Sequence, residues 1–88
     1  MFKLVLSDRF KKNLQNFIRK HPELTGLLEE KFSILQNNFK DRRLRSHKLT
    51  GKLKGFLAAS ITHEYRIVFY LENDSIFLIA IGTHDEVY

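Results

Sequence analysis

Glu64-Tyr65-Arg66-Ile67-Val68-Phe69-Tyr70-Leu71 decides the fold. Tyr65, Ile67, Phe69 and Leu71 fall on one face of an extended chain, and Glu64, Arg66, Val68 and Tyr70 on the other. Downstream, Glu72-Asn73-Asp74 is short enough for a hairpin turn. It leads into Ser75–Ile81, a strand apolar on both faces, as a covered central strand is. Upstream, Leu53–Ile61 is a third strand-like run, joined through Thr62-His63. Three runs linked by short turns predict an antiparallel sheet.

The first half has a different period. Phe2–Leu6 is a short apolar strand, and Ser7 and Asp8 after it suit a helix N-cap. Phe10, Leu14, Phe17 and Ile18 then form one helical stripe among lysines, arginines and asparagines. His21-Pro22 stops that helix, and Pro22 opens a second whose apolar period runs from Leu24 to about Asn38. The order is β-α-α-β-β-β. It predicts a single α+β domain over residues 1–88, an antiparallel sheet with a helical hairpin packed on one face. Helices on one side leave the other sheet face either to be covered by something else or to be a working surface.

Composition narrows the class. A chain of 88 residues buries only about 60% of its unfolded surface, so one compact core is all it can build. There is no cysteine, which removes disulfides, thiolate nucleophiles and cysteine-based zinc sites. The longest apolar run, Ile76–Ile81, is far short of the roughly 20 residues that span a bilayer. Met1–Leu6 has neither the charged start nor the cleavage site of an export signal, so a soluble cytoplasmic protein is expected. The net charge is +5, with 15 lysines and arginines against 10 acidic residues. Between Asp41 and Lys54, Arg42, Arg43, Arg45, Lys48, Lys52 and Lys54 face a single carboxylate. Such a concentration marks either a polyanion-binding surface or a solvated loop.

Four histidines are available. His21, at a helix end beside proline, is read as structural. His47 lies in the basic segment and His84 just past the last strand, where scaffolds present working groups. No two histidines have zinc-ligand spacing, so no metal site is expected. A phosphate-binding glycine loop and a serine nucleophile elbow are both missing. What remains is imidazoles, Glu64, the cations Arg66, Lys48, Lys52 and Lys54, and the phenol of Tyr88. Metal-free RNA cleavage needs those parts: a base for the 2′-hydroxyl, a cation for the charge on phosphorus, and an acid for the leaving oxygen.

His47–Gly55, Glu64–Phe69 and Ile81-Gly82-Thr83-His84 together resemble the RelE/ParE superfamily of bacterial toxins, and most closely its YafQ-like branch. That resemblance implies a toxin of a type II toxin–antitoxin pair: a ribosome-dependent, metal-independent endoribonuclease that cuts mRNA in the A site. It implies no cofactor and no membrane. The implied partners are a cognate antitoxin, the ribosome with its mRNA, and operator DNA reached only through the antitoxin. The family's first catalytic histidine falls on His47, its acidic residue on Glu64 and the adjacent aromatic on Tyr65. The histidine of the G-T-H element is His84, and the terminal aromatic is Tyr88. Where the branch has a second histidine before the turn, this chain has Ser60, with His63 three residues on; Arg66 resembles the transition-state arginine of the RelE branch.

On this basis His84 is the expected general acid or base, and His47 its counterpart or a phosphate contact. Glu64 is a second proton acceptor or an orienter, Arg66 the stabiliser of the phosphorane, and Tyr88 a base-positioning ring. Arg42, Arg43, Arg45, Lys48, Lys52 and Lys54 are expected to follow RNA phosphates, with Tyr65 contributing to RNA contact or to the core. Glu64 and Arg66 are also spaced for a surface ion pair. Two rival readings remain: a ParE-like toxin acting on DNA gyrase, and a degenerate member that binds its antitoxin without cutting.

Overall fold

A computed structural model describes all 88 residues. Five strands form one sheet: β1 (Lys3–Leu6), β2 (His47–Lys48), β3 (Leu57–Ser60), β4 (Tyr65–Glu72) and β5 (Ser75–Thr83). Their spatial order is β1-β5-β4-β3-β2. Helices α1 (Asp8–Lys20) and α2 (Thr25–Asn37) cover one face, and a four-residue helix α3 (His84–Val87) follows β5. No helix is long and apolar enough to cross a membrane.

Ser7 caps α1 by accepting the Phe10 N–H at 3.1 Å, and the helix ends at Lys20 before the His21-Pro22 break. Pro22–Leu24 is a 3₁₀ turn rather than the first turn of α2. The sheet is mixed and not wholly antiparallel, because β1 pairs parallel with β5. No tight turn fixes the direction of β1, since the helical hairpin intervenes before the next strand. A crossover of that length is what a parallel neighbour requires. β2 was not anticipated: its two residues, His47 and Lys48, are too few and too polar to show a period. The predicted run from Leu53 is strand only from Leu57, because Gly51–Leu53 forms a 3₁₀ turn and Gly55 takes φ +98°.

β4 alternates as its sequence predicts, and Ile67 and Phe69 are buried against the helices. β5 does not alternate throughout. Val68 pairs with Ala80 but Phe69 pairs with Leu78, so the bulge leaves one extra β5 residue between them. The bulge resets the pleat, and Ile76, Leu78 and Ile81 all reach the helix-side core despite their uneven spacing. Phe10 and Phe17 of α1 and Leu28, Ile34 and Leu35 of α2 close over them. Asn73, at φ +55°, makes the two-residue turn between β4 and β5.

α3 is held by a capping box. The Thr83 hydroxyl accepts the Glu86 N–H, and the Glu86 carboxylate accepts the Thr83 N–H at 2.8 Å. Gly82 makes room for this return: a Cβ there would lie 2.9 Å from Glu86 Oε1 and 3.1 Å from Glu86 Cβ. The Thr83 N–H, and then the Thr83 hydroxyl, hold the Glu86 carboxyl below the usual glutamate range.

Two predictions come from this architecture. Phe69 is fully buried, so Phe69→Ala should cost about 3–5 kcal/mol in urea unfolding. A carboxyl whose folded pKa is depressed contributes fully above its unfolded value and loses that contribution as pH falls through the folded one. The protection of the Glu86 and Tyr88 amides, taken relative to the intrinsic exchange rate at each pH, should therefore fall on acidification below the glutamate range. In Glu86→Gln that pH dependence should vanish.

Candidate functional site

At the end of the sheet where β3 turns into β4, a cleft of about 510 Å³ opens. Arg66 lines it. The Arg66 and Ser60 backbones are direct partners across β3 and β4, which puts both side chains on the face away from the helices. The Arg66 guanidinium donates to Ser60 Oγ at 2.7 Å. A hydroxyl fixes the arginine's direction without neutralising it, so the charge stays available to an anion. The anticipated Glu64–Arg66 pair is not formed.

Around Arg66 the cleft gathers Arg43, Arg45 and Lys31 with the imidazoles of His47 and His63, and no carboxylate lines it. His47 arrives on β2, whose pairing with Ala58 of β3 sets it on the same sheet face as Arg66. Its Nδ1 is 3.4 Å from the Arg45 carbonyl. Arg45 itself adopts φ +50°, a conformation uncommon for a non-glycine residue, as the chain leaves the Arg42–Leu44 turn for β2. Lys31 donates to the Arg43 carbonyl at 2.8 Å and so ties α2 to this loop. His63 is carried by the β3–β4 turn, which Thr62 Oγ1 braces by accepting the N–H groups of Glu64 and Tyr65.

The basic segment is divided by the fold. Arg43 is engaged by Asp41 in a bidentate pair at 3.0 and 2.9 Å, and that guanidinium holds the Asp41 carboxyl down at about 2. Arg45 lines the Arg66 cleft, whereas Lys48 and Lys54 line a separate groove. Lys52 lies in a third depression with His84 and Tyr88. Arg42 is exposed and lines none of these.

His84 and Tyr88 sit one turn apart on α3, with ring centroids 4.4 Å apart, edge to face. They face Leu49, Thr50 and Lys52 rather than the cleft of His47. Burial pushes the Tyr88 phenol up, and the positive charge of Arg66 partly offsets this. Glu64 is exposed on the turn, and its carboxylate has no hydrogen-bond or ion-pair partner.

Tyr65 belongs to the other side of the sheet, away from the RNA-facing role offered for it. Its hydroxyl meets His21 Nε2 at 3.1 Å, and Phe17 packs edge-on against its ring. Burial pushes its phenol up, and the negative charges of Glu64, Glu23 and Glu86 add to this. His21 is the structural histidine anticipated. His63 had been noted only as the histidine near Ser60, and Lys31, Thr83 and Glu86 are residues at these sites that sequence reasoning had not assigned. Only the last two had a local signal, the T-x-x-E spacing of a capping box. No three His, Asp or Glu side chains gather closely enough to hold a metal ion.

None of the curated proteins matches the chain in sequence. Solved structures do match in fold. A copper-bound mutant toxin from Helicobacter pylori aligns over the whole of both chains, with a TM-score of 0.84 and 26% identity. YafQ in the Escherichia coli DinJ–YafQ toxin–antitoxin complex aligns over 99% of this chain and 97% of its own, at 0.80 and 19%. A chain of the YoeB–YefM complex from Staphylococcus aureus aligns at 0.77 and 18%, covering 96% and 98%. The model of the YafQ toxin family, bacterial toxins of type II toxin–antitoxin systems, matches residues 2–88. With the family pattern running through nearly every residue and the fold agreeing, this chain belongs to the YafQ family of type II toxins.

Proposed function

We propose that this toxin is a ribosome-dependent endoribonuclease that cuts mRNA in the A site by metal-independent attack of the 2′-hydroxyl on the adjacent phosphate. One observation carries the reading: Arg66, held in place by the neutral hydroxyl of Ser60, in a cationic cleft shared with His47. The scissile phosphate sits against Arg66, which stabilises the charge that grows on phosphorus. His47 lies in the cleft, and His84 follows two residues after Gly82, the β5 partner of Arg66. They handle the two protons of the reaction as the RNA spans both depressions: one takes the 2′-hydroxyl proton and the other protonates the leaving 5′-oxygen. Glu64, free on the rim, accepts a proton or orients an imidazole as the RNA closes over it. Tyr88 places a base beside the reacting phosphate. DNA has no 2′-hydroxyl and is not cut.

Arg42, Arg45, Lys48, Lys52 and Lys54 track rRNA and mRNA phosphates, with Arg43 bound to Asp41 at their edge. The YafQ and YoeB relatives are solved as complexes with DinJ and YefM. By that likeness a cognate antitoxin binds this chain, occludes the cationic cleft and supplies any contact with operator DNA. The toxin acts in the cytoplasm, where the ribosomes are.

Primer extension on a defined mRNA, in a purified translation system with and without ribosomes, tests the reading. Cuts should require the ribosome, keep to its frame, and fall by about 10²–10⁴ in rate for His84→Ala. Frame-independent cuts, or none from folded antitoxin-free protein, would refute it, and inhibition of gyrase supercoiling would then identify the other target class. Neutralising Arg45, Lys48 and Lys52 together should weaken ribosome association and flatten its dependence on salt concentration.

A further inference from the structure

The sheet face away from the helices carries more than Arg66. Residues alternate along β4, so Arg66, Val68 and Tyr70 share this face. Tyr70 pairs with Phe77 of β5, and their rings stack at 4.8 Å with 3° between planes. Phe56, just before β3, packs edge-on against Tyr70 at 5.7 Å. All three rings are half-buried, and none belongs to the core cluster under the helices. They form a single-file aromatic row across three strands. Between it and Arg66 lie only Ala58, Val68 and Ala80, and beyond it the sheet turns polar at Glu72, Ser75 and Lys3.

Beside Phe56 runs a groove of about 630 Å³, rimmed by Lys48 and Lys54. Neither lysine has a carboxylate within ion-pair distance. Lines of aromatic rings beside unpaired cations are how proteins hold single-stranded nucleic acid, with rings stacking on bases and cations following phosphates. Tyr70 is four residues from Arg66 along one strand, about 13 Å. A base reaching it is therefore a neighbour of the reacting nucleotide and not that nucleotide itself.

We propose that Phe56, Tyr70 and Phe77 form a stacking shelf for the single-stranded mRNA flanking the scissile phosphate, with Lys54 of the adjoining groove holding its backbone. The proposal rests on the reading that the Arg66 cleft takes RNA. The sheet face shared with Arg66 and the unpaired Lys54 beside Phe56 favour RNA over a protein segment as the occupant.

The test is ultraviolet crosslinking of the intact toxin to ribosomes programmed with mRNA that carries 5-iodouridine at successive positions near the A site. A 2′-deoxy nucleotide at the cut position keeps the RNA whole. Crosslinks from a nucleotide adjacent to the cut position should map to Phe56, Tyr70 or Phe77. In cleavage assays, Tyr70→Leu and Phe56→Leu, which keep apolar cover but lose the ring, should raise KM roughly tenfold with kcat unchanged. Crosslinks confined to the Arg66 cleft would overturn the shelf and leave the nuclease reading standing. No RNA crosslink and no cleavage would overturn both. A fall in antitoxin affinity in Tyr70→Leu, with KM unchanged, would also overturn the shelf and assign the row to the protein partner.

Discussion

One face of the β4–β5 pair must stay dry, and the rest of the molecule is arranged around that requirement. Phe69 and Ile76 on this face, and Phe10 and Leu35 of the helices above it, have no exposed surface at all. In a chain of 88 residues there is no second core to share the load. The bulge in β5 serves this constraint, because a strictly alternating strand would turn Ile81 away from the helices that bury Ile76 and Leu78. Both helices are committed to one side, so the other side of the sheet is free for chemistry.

Electrostatics on the free side follow a consistent pattern. Like charges gathered in one cleft repel one another, and in an isolated protein this costs stability. The fold limits that cost by pairing Arg43 with Asp41 and directing Arg66 onto a neutral hydroxyl. A hydrogen bond from a charged donor contributes about 1.5–3 kcal/mol, enough to hold the guanidinium in one direction. A carboxylate partner would orient it as well, but would compete with a phosphate for the same charge. The cleft therefore keeps a surplus of positive charge suited to a polyanion.

The C-terminal end shows how little structure is needed to place two side chains. Four residues cannot sustain a helix by propagation alone. The reciprocal bonds of Thr83 and Glu86 do so instead, and Gly82 leaves the space that Glu86 occupies. His84 and Tyr88 are thereby presented as an edge-to-face pair.

Periodicity alone determined the helices, the central strands and the separation of a covered face from a free one, because core burial imposes a period of 3.6 or 2 on local sequence. Composition and charge order determined that the chain is cationic, with the excess gathered between Asp41 and Lys54. The family likeness named His47, Arg66, His84 and Tyr88, but nothing local revealed which of them meet. Tertiary structure decided that β1 lies parallel to β5, since no turn encodes its direction, and that β2 exists, since two polar residues carry no period. It joined the Tyr65 hydroxyl to His21 and split the basic segment among three depressions. It also brought Lys31 from α2 and His63 from a turn to Arg66. Contacts between residues far apart in the chain depend on how layers pack, and packing is a property of the whole chain, whereas a period is legible within ten residues.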